Sequence, residues 1–246
     1  MKTAAKRAHR LDRTASPRAI ATLLLACAGA NASAADFLDQ RRVEPIQGDV
    51  AAGAAKAVVC VACHGPNGNA IVPTFPKLAG QRAEYLHSRL SEYKHADAKL
   101  PYYAASPMPV QAQALSEADM HNLAAYFAAQ KPMPSPTAAN TPPGETRGER
   151  LYREGDSARG IPPCQGCHGA NAEGGPVAAG DQYLVYPALR GQHAPYLSAR
   201  LSNYRAGWPY RASGDYIMAG VARTLDDESI QAVAAWLAAL PPQEQH

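Results

Sequence analysis

One five-residue pattern occurs twice and constrains this chain more than anything else in it. Cys60-Val61-Ala62-Cys63-His64 returns 104 residues later as Cys164-Gln165-Gly166-Cys167-His168. C-x-x-C-H is the attachment pattern of c-type haem, and the chemistry needs that spacing. Two thiols about one helical turn apart reach the two vinyl groups of one porphyrin, and the histidine beside the second cysteine lies under the iron as proximal ligand. The sequence therefore predicts two covalently attached haem c groups. One is held by Cys60, Cys63 and His64, the other by Cys164, Cys167 and His168.

Two other chemistries use this pattern. A structural zinc site needs a second Cys/His pair, which the two copies would have to supply to each other. Each copy, however, sits in its own repeat with its own downstream methionine. A thioredoxin-like dithiol does not need the histidine, and no βαβ pattern surrounds either copy.

Composition supports cofactor-built cores. Three Phe and two Trp serve 246 residues, which is thin for two independent cores, and a buried porphyrin supplies the missing apolar area. Of five cysteines, four lie in the motifs and Cys27 in an N-terminal apolar run, so none is left for a structural disulfide.

The formal charge of +3 is concentrated at the start. Residues 1–34 carry six cations and one anion, leaving a net −2 for the rest. Nothing in that balance suggests nucleic acid. The same segment has a cationic stretch, an apolar run centred on Leu23-Leu24-Leu25, and Ala32-Ser33-Ala34, the layout of a secretory signal cleaved near Ala34. Lipidation at Cys27 is the alternative; a transmembrane anchor needs a longer apolar run. Export to the periplasm agrees with the haem reading, since bacterial c-type haem is attached outside the cytoplasm.

The remainder divides into a flexible lead-in (35–47), a first domain (48–131), a Pro-rich linker (132–146) and a second domain (147–246). In the first domain helices are expected from Gly48 to Val59, over Arg82–Lys94, and from the Ser116 cap, with Asp119 completing a capping box, to about Gln130. Residues 65–75 and 96–109 read as loop. The second domain replays this with helices over Glu145–Glu154, Ala194–Arg205 and from the Asp226 cap to Leu240, and with a longer loop, 169–186.

The repeat is direct. Pro76-Lys77-Leu78-Ala79-Gly80-Gln81 matches Pro187-Ala188-Leu189-Arg190-Gly191-Gln192. Tyr85, Arg89 and Tyr93 match Tyr196, Arg200 and Tyr204. Met108 and Met218 both stand seven residues before the leucine that precedes a helix cap, Leu115 and Leu225. That shared register makes them the candidate sixth ligands, although Met is also a common apolar plug. A thioether ligand favours ferrous iron and closes the site to substrate. The carbonyls of Pro76 and Pro187 are placed to accept the proximal His N–H. Arg89, Tyr93, Arg200 and Tyr204 are candidates for haem propionates, or else helix-surface residues.

With these motifs the chain resembles the cytochrome c4 family of dihaem c-type cytochromes over about residues 48–240. The resemblance implies an all-α protein of two tandem class I cytochrome c domains, related by a pseudo-twofold axis, with the haems facing across the interface. It implies ligation by His64 with Met108 and by His168 with Met218. It implies a periplasmic, non-enzymatic electron carrier between a quinol-oxidising cytochrome bc complex and a terminal oxidase, meeting the membrane only through partner complexes. The stretch 36–47 and the loop 169–186 depart from the leanest family pattern and are available for docking.

Two other functions fit a dihaem chain. One is an electron-accepting subunit of a larger dehydrogenase. The other is a dihaem redox enzyme, a peroxidase or a thiosulfate-oxidising cytochrome, which needs an open iron or a His or Cys ligand. His87, His95, His121 and His193 are available for that, but none recurs at the same position in both repeats, and no spare cysteine follows the signal segment.

Overall fold

The computed structural model describes residues 39–40, 43–97, 99, 103, 105–135, 146–175, 184–207 and 212–242, all within one compact unit, Phe37–His246. The signal segment with Cys27, residues 136–145 of the linker and 176–183 of the long loop lie outside the described residues.

The described residues hold five α-helices in each half and no strand beyond the isolated bridge Asp156–Ile161. The first half has α1 (Val50–Lys56), α2 (Val61–His64), α3 (Ala83–Lys94), α4 (Met108–Gln113) and α5 (Glu117–Ala128). The second half has α6 (Arg147–Glu154), α7 (Gln165–His168), α8 (Ala194–Arg205), α9 (Ser213–Ala222) and α10 (Asp227–Ala239). Among the described residues, no helix is long and apolar enough to cross a membrane.

Helix starts follow local chemistry. Ser116 and Asp119 form the expected capping box, and Asp226 accepts from the Ser229 N–H, so orphan amide groups of α5 and α10 are satisfied. Helix α4 corrects the sequence reading, which had 96–109 as loop. Pro107 is its N-cap residue and Pro109 lies in its first turn. Proline there loses no hydrogen bond and its fixed φ suits a helix start, so the residues read as breakers are initiators.

In each half the first helix crosses the last at a glycine. A β-carbon on Gly53 would collide with the Asn122 carbonyl, and one on Gly148 with the Ala232 carbonyl. The absent side chain lets the backbones touch. Leu86, Leu123 and Phe127 build the first core; Tyr152, Leu197, Val233, Trp236 and Leu237 build the larger cluster of the second.

The halves meet through the repeated P-x-L-x-G-Q segments. Gln81 donates Nε2–H to the Ala188 carbonyl and accepts from the Ala188 N–H, both at 2.9 Å. Gln192 does the same to Lys77, at 3.0 and 2.9 Å. Ala188 occupies in the second repeat the place of Lys77 in the first, so the contact is isologous, the mark of a twofold relation within one chain. Both glutamines are buried. The next residues also cross: Arg82 donates to the carbonyls of Leu184 and Gly175, and His193 Nε2–H to that of Ala70 at 2.8 Å.

Candidate haem sites

Each C-x-x-C-H motif folds as a short helix ending on its histidine, and the glycine that follows turns the chain away at positive φ, Gly65 at 72° and Gly169 at 81°. The chain returns through a proline carbonyl. His64 Nδ1 lies 2.9 Å from Pro76 O, and His168 Nδ1 3.1 Å from Pro187 O. A carbonyl can only accept, so Nδ1 carries the proton in both rings and Nε2 is the free lone pair. Burial pushes both imidazole pKa values down, against the pull of the proline carbonyls. The neutral form, the one that binds iron, is therefore favoured.

A cavity of about 1190 Å³, counting its open mouth, occupies the middle of the second half. Cys164, Cys167, His168 and Met218 all line it, with Leu151, Leu197, Val233 and Leu237 among its apolar walls. These leucines and Val233 belong to the core clusters of that half. The core is thus built around a space, and a flat apolar group with two thiol attachment points and an Nε2 beneath it fits what the walls offer. Burial raises the Cys164 thiol to about 11.

In the first half Cys60, Cys63 and His64 share the same local geometry, and Phe75 approaches the His64 ring edge-on at 6.3 Å. Met108 is the first residue of α4 and is half-buried; no described contact joins it to His64. Met120 is fully buried core and Met133 is exposed. The two pentapeptides do not converge into one metal site among the described residues. Of the histidines open to an alternative ligand role, His193 is spent on the Ala70 carbonyl. His95 bonds its own helix at Ser91, and His87 lies 2.6 Å from Glu117.

Of the side chains read as propionate partners, Arg89, Arg200 and Tyr204 take part in a hydrogen-bonded network with Glu92 and Asp215. Arg89 donates to Asp215 at 3.0 Å and to Glu92 at 3.1 Å. Tyr103 donates to Glu92 at 2.7 Å, Tyr204 to Asp215 at 3.0 Å, and Arg200 to the Tyr204 hydroxyl at 2.9 Å. Arg89 and Tyr85 of the first half line the cavity of the second. Burial raises the Glu92 pKa, outweighing the pull of Arg89, and the Asp215 charge adds to the rise. Burial also raises Tyr85 and Tyr204 to about 12.

Sequence reasoning missed Glu92, Tyr103 and Asp215, none of which recurs in the repeat. It also gave no role to Gln40. That buried residue lines the cavity, takes its N–H to Ser213 Oγ at 3.0 Å and bonds its side chain to Ser88, so it touches both halves.

Comparison with known proteins agrees with this architecture. The cytochrome c family model matches twice, at residues 50–131 and 146–241. The chain is 40% identical to cytochrome c4 of Azotobacter vinelandii over 78% of its own length and 90% of the relative's. The crystal structure of reduced recombinant cytochrome c4 from Pseudomonas stutzeri superimposes with a TM-score of 0.64 at 35% identity, covering 79% of this chain and 100% of that one. A protein named thiosulfate dehydrogenase electron acceptor, from Thiomonas intermedia, is 37% identical over 78% of this chain and 82% of its own.

Proposed function

The chain belongs to the cytochrome c4 family, with two covalently attached haem c groups, and from that premise we propose that it carries single electrons in the periplasm between a quinol-oxidising cytochrome bc complex, or a dehydrogenase, and a terminal oxidase. Haem supplies reversible one-electron exchange at iron; everything else is done by the chain. The observation that carries the reading is the cavity on which His168 and Met218 both open. With His168 and Met218 both as protein ligands, a haem iron held there would have no coordination position left for a substrate.

Each residue then has a task. Cys60 and Cys63, and Cys164 and Cys167, fix the cofactor covalently. The Pro76 and Pro187 carbonyls hold the His64 and His168 rings in one orientation and raise their basicity as ligands. Met218 and, by its repeat register, Met108 supply the soft sixth ligand, which raises the potential by favouring ferrous iron. The apolar walls exclude water, so little solvent must reorganise when charge changes. The Gln81 and Gln192 amide pairs hold the halves at one spacing, as transfer between two sites requires. The proposed layout is a signal segment over 1–34 cleaved near Ala34, a lead-in over 35–47, domains over 48–131 and 147–246, and a linker between them.

A second reading is favoured by the relative named thiosulfate dehydrogenase electron acceptor: this chain takes electrons from such a dehydrogenase rather than from a bc complex. The test has two arms. The oxidised protein is expected to contain two haems and to show a methionine-to-ferric-iron charge-transfer band in the near infrared at two-haem intensity. Half intensity or high-spin features would refute the closed-site reading. Stopped-flow reduction by each candidate donor then separates the two partners.

A further inference from the structure

Three potential metal ligands outside the haem sites converge where α3 and α5 pack together. His87 comes from α3; Glu117 and His121 come from α5, four residues apart on one face. His87 Nε2 lies 2.6 Å and His121 Nε2 3.5 Å from the same oxygen, Glu117 Oε1. The imidazole centroids are 4.5 Å apart at 76°, and the three ligand atoms all fall within 4.8 Å of one another. We propose that His87, Glu117 and His121 form a binding site for one divalent first-row transition-metal ion, Zn²⁺ or Cu²⁺, completed by water.

The donor set selects the class of ion. Two imidazoles and a carboxylate suit Zn²⁺ and Cu²⁺. One carboxylate is too few for Ca²⁺ or Mg²⁺, which take oxygen ligands throughout, and without a thiolate or thioether the set does not favour Cu⁺. Geometry agrees. Bonds of 2.0–2.1 Å in a tetrahedral site set donors about 3.3 Å apart, and the separations of 2.6 and 3.5 Å from Glu117 Oε1 straddle that value. The cluster is also open to an arriving ion: the His87 side chain is 17% exposed and that of Glu117 is 65%.

The second repeat shows that the haem fold does not require this arrangement. Its equivalent positions are Ser198, Asp227 and Gln231. There the serine hydroxyl faces the glutamine amide oxygen at 3.4 Å, and Arg205 occupies the aspartate at 2.5 Å. Two imidazoles facing one carboxylate belong to the first repeat alone. A bound ion would clamp α3 to α5, and the stability of that domain would rise with ion concentration.

The test uses the full dihaem protein after chelator treatment. Calorimetric titration with Zn²⁺ is expected to show one ion per chain. His87→Ala and His121→Ala should each weaken binding at least tenfold, and the double variant should abolish it. His95→Ala, at an exposed histidine bonded to its own helix, serves as control and should change nothing. Titration of the ferric protein with Cu²⁺ should give an electron paramagnetic resonance signal with hyperfine structure from two nitrogens. Glu117→Gln keeps both imidazoles and should weaken binding without losing that nitrogen pattern; unchanged haem absorption certifies the fold of every variant. Absence of Zn²⁺ binding, or binding unchanged in the double variant, would show a hydrogen-bonded surface cluster only and overturn the proposal.

Discussion

Arg89→Leu tests the buried charge network between the halves. The Arg89 side chain is 12% exposed, Glu92 2% and Asp215 6%, so water cannot compensate if one partner is removed. Arg89 bonds both carboxylates, while Arg200 acts on Glu92 more weakly, and both carboxylates hold the Arg89 pKa well above the ordinary value despite burial. Its loss strands two anions in a poorly solvated space. Breaking a buried pair from one side costs about 3–5 kcal/mol, and that loss is expected in urea unfolding of the oxidised holoprotein at neutral pH. The pH dependence has a definite sign. The Glu92 pKa is raised in the folded protein, so the native state binds more protons than the unfolded one. Its contribution is fully present below the ordinary carboxylate range and is lost as pH rises through the folded value. Without Arg89 the folded value climbs further, so the penalty should be largest at neutral pH and shrink in mild acid. Adding Glu92→Gln and Asp215→Asn removes the stranded charges and should recover most of the loss. A penalty below about 1 kcal/mol, or a triple variant no more stable than the single one, would refute the reasoning.

Other outcomes are expected from the same structure. Met108→Ala and Met218→Ala should each halve the near-infrared charge-transfer band and lower one of the two potentials; unchanged spectra would remove that methionine as a ligand. Gln81→Leu leaves a partly buried N–H and C=O of Ala188 unpaired and should cost about 1–3 kcal/mol in thermal or urea unfolding. Gln192→Leu should cost about the same, because its pairing with Lys77 is the symmetric counterpart. Gly148→Ala forces a methyl group against the Ala232 carbonyl and should destabilise by about 1–3 kcal/mol through overpacking.

What the sequence disclosed was whatever local chemistry dictates. The Ser116–Asp119 box, the Asp226 cap and helix Ala194–Arg205 follow from capping and spacing, and the structure has them. The proline carbonyls behind His64 and His168 were legible because both recur at one position in the repeat. Helix α9 was not read, since Gly214 and Gly220 dilute its pattern, and α4 was hidden behind prolines that start it. Gln81 and Gln192 were visible as a repeated pair, but nothing nearby in the chain says that each side chain takes its partner from the other half. Glu92 and Asp215 gave no signal at all. Each looks like an ordinary helix charge until the second domain is packed against the first.

The interface therefore has two parts of different character. One part repeats itself: Gln81 on Ala188 and Gln192 on Lys77, Arg82 and His193 each reaching a loop of the other half. Such isologous contacts follow from duplication, since one favourable pairing is used twice. The other part does not repeat. Glu92 corresponds to Asn203, and Asp215 to Ala105. Two carboxylates, one from each half, thus flank Arg89 without acidic equivalents in the other repeat. Arg89 and Asp215 line the second-half cavity, and Asp215 has no charged counterpart in the first repeat. In a poorly solvated interior a unit charge is felt over more than its contact distance. Symmetric contacts join the halves, and a charge group whose carboxylates are not repeated lies beside the second-half cavity.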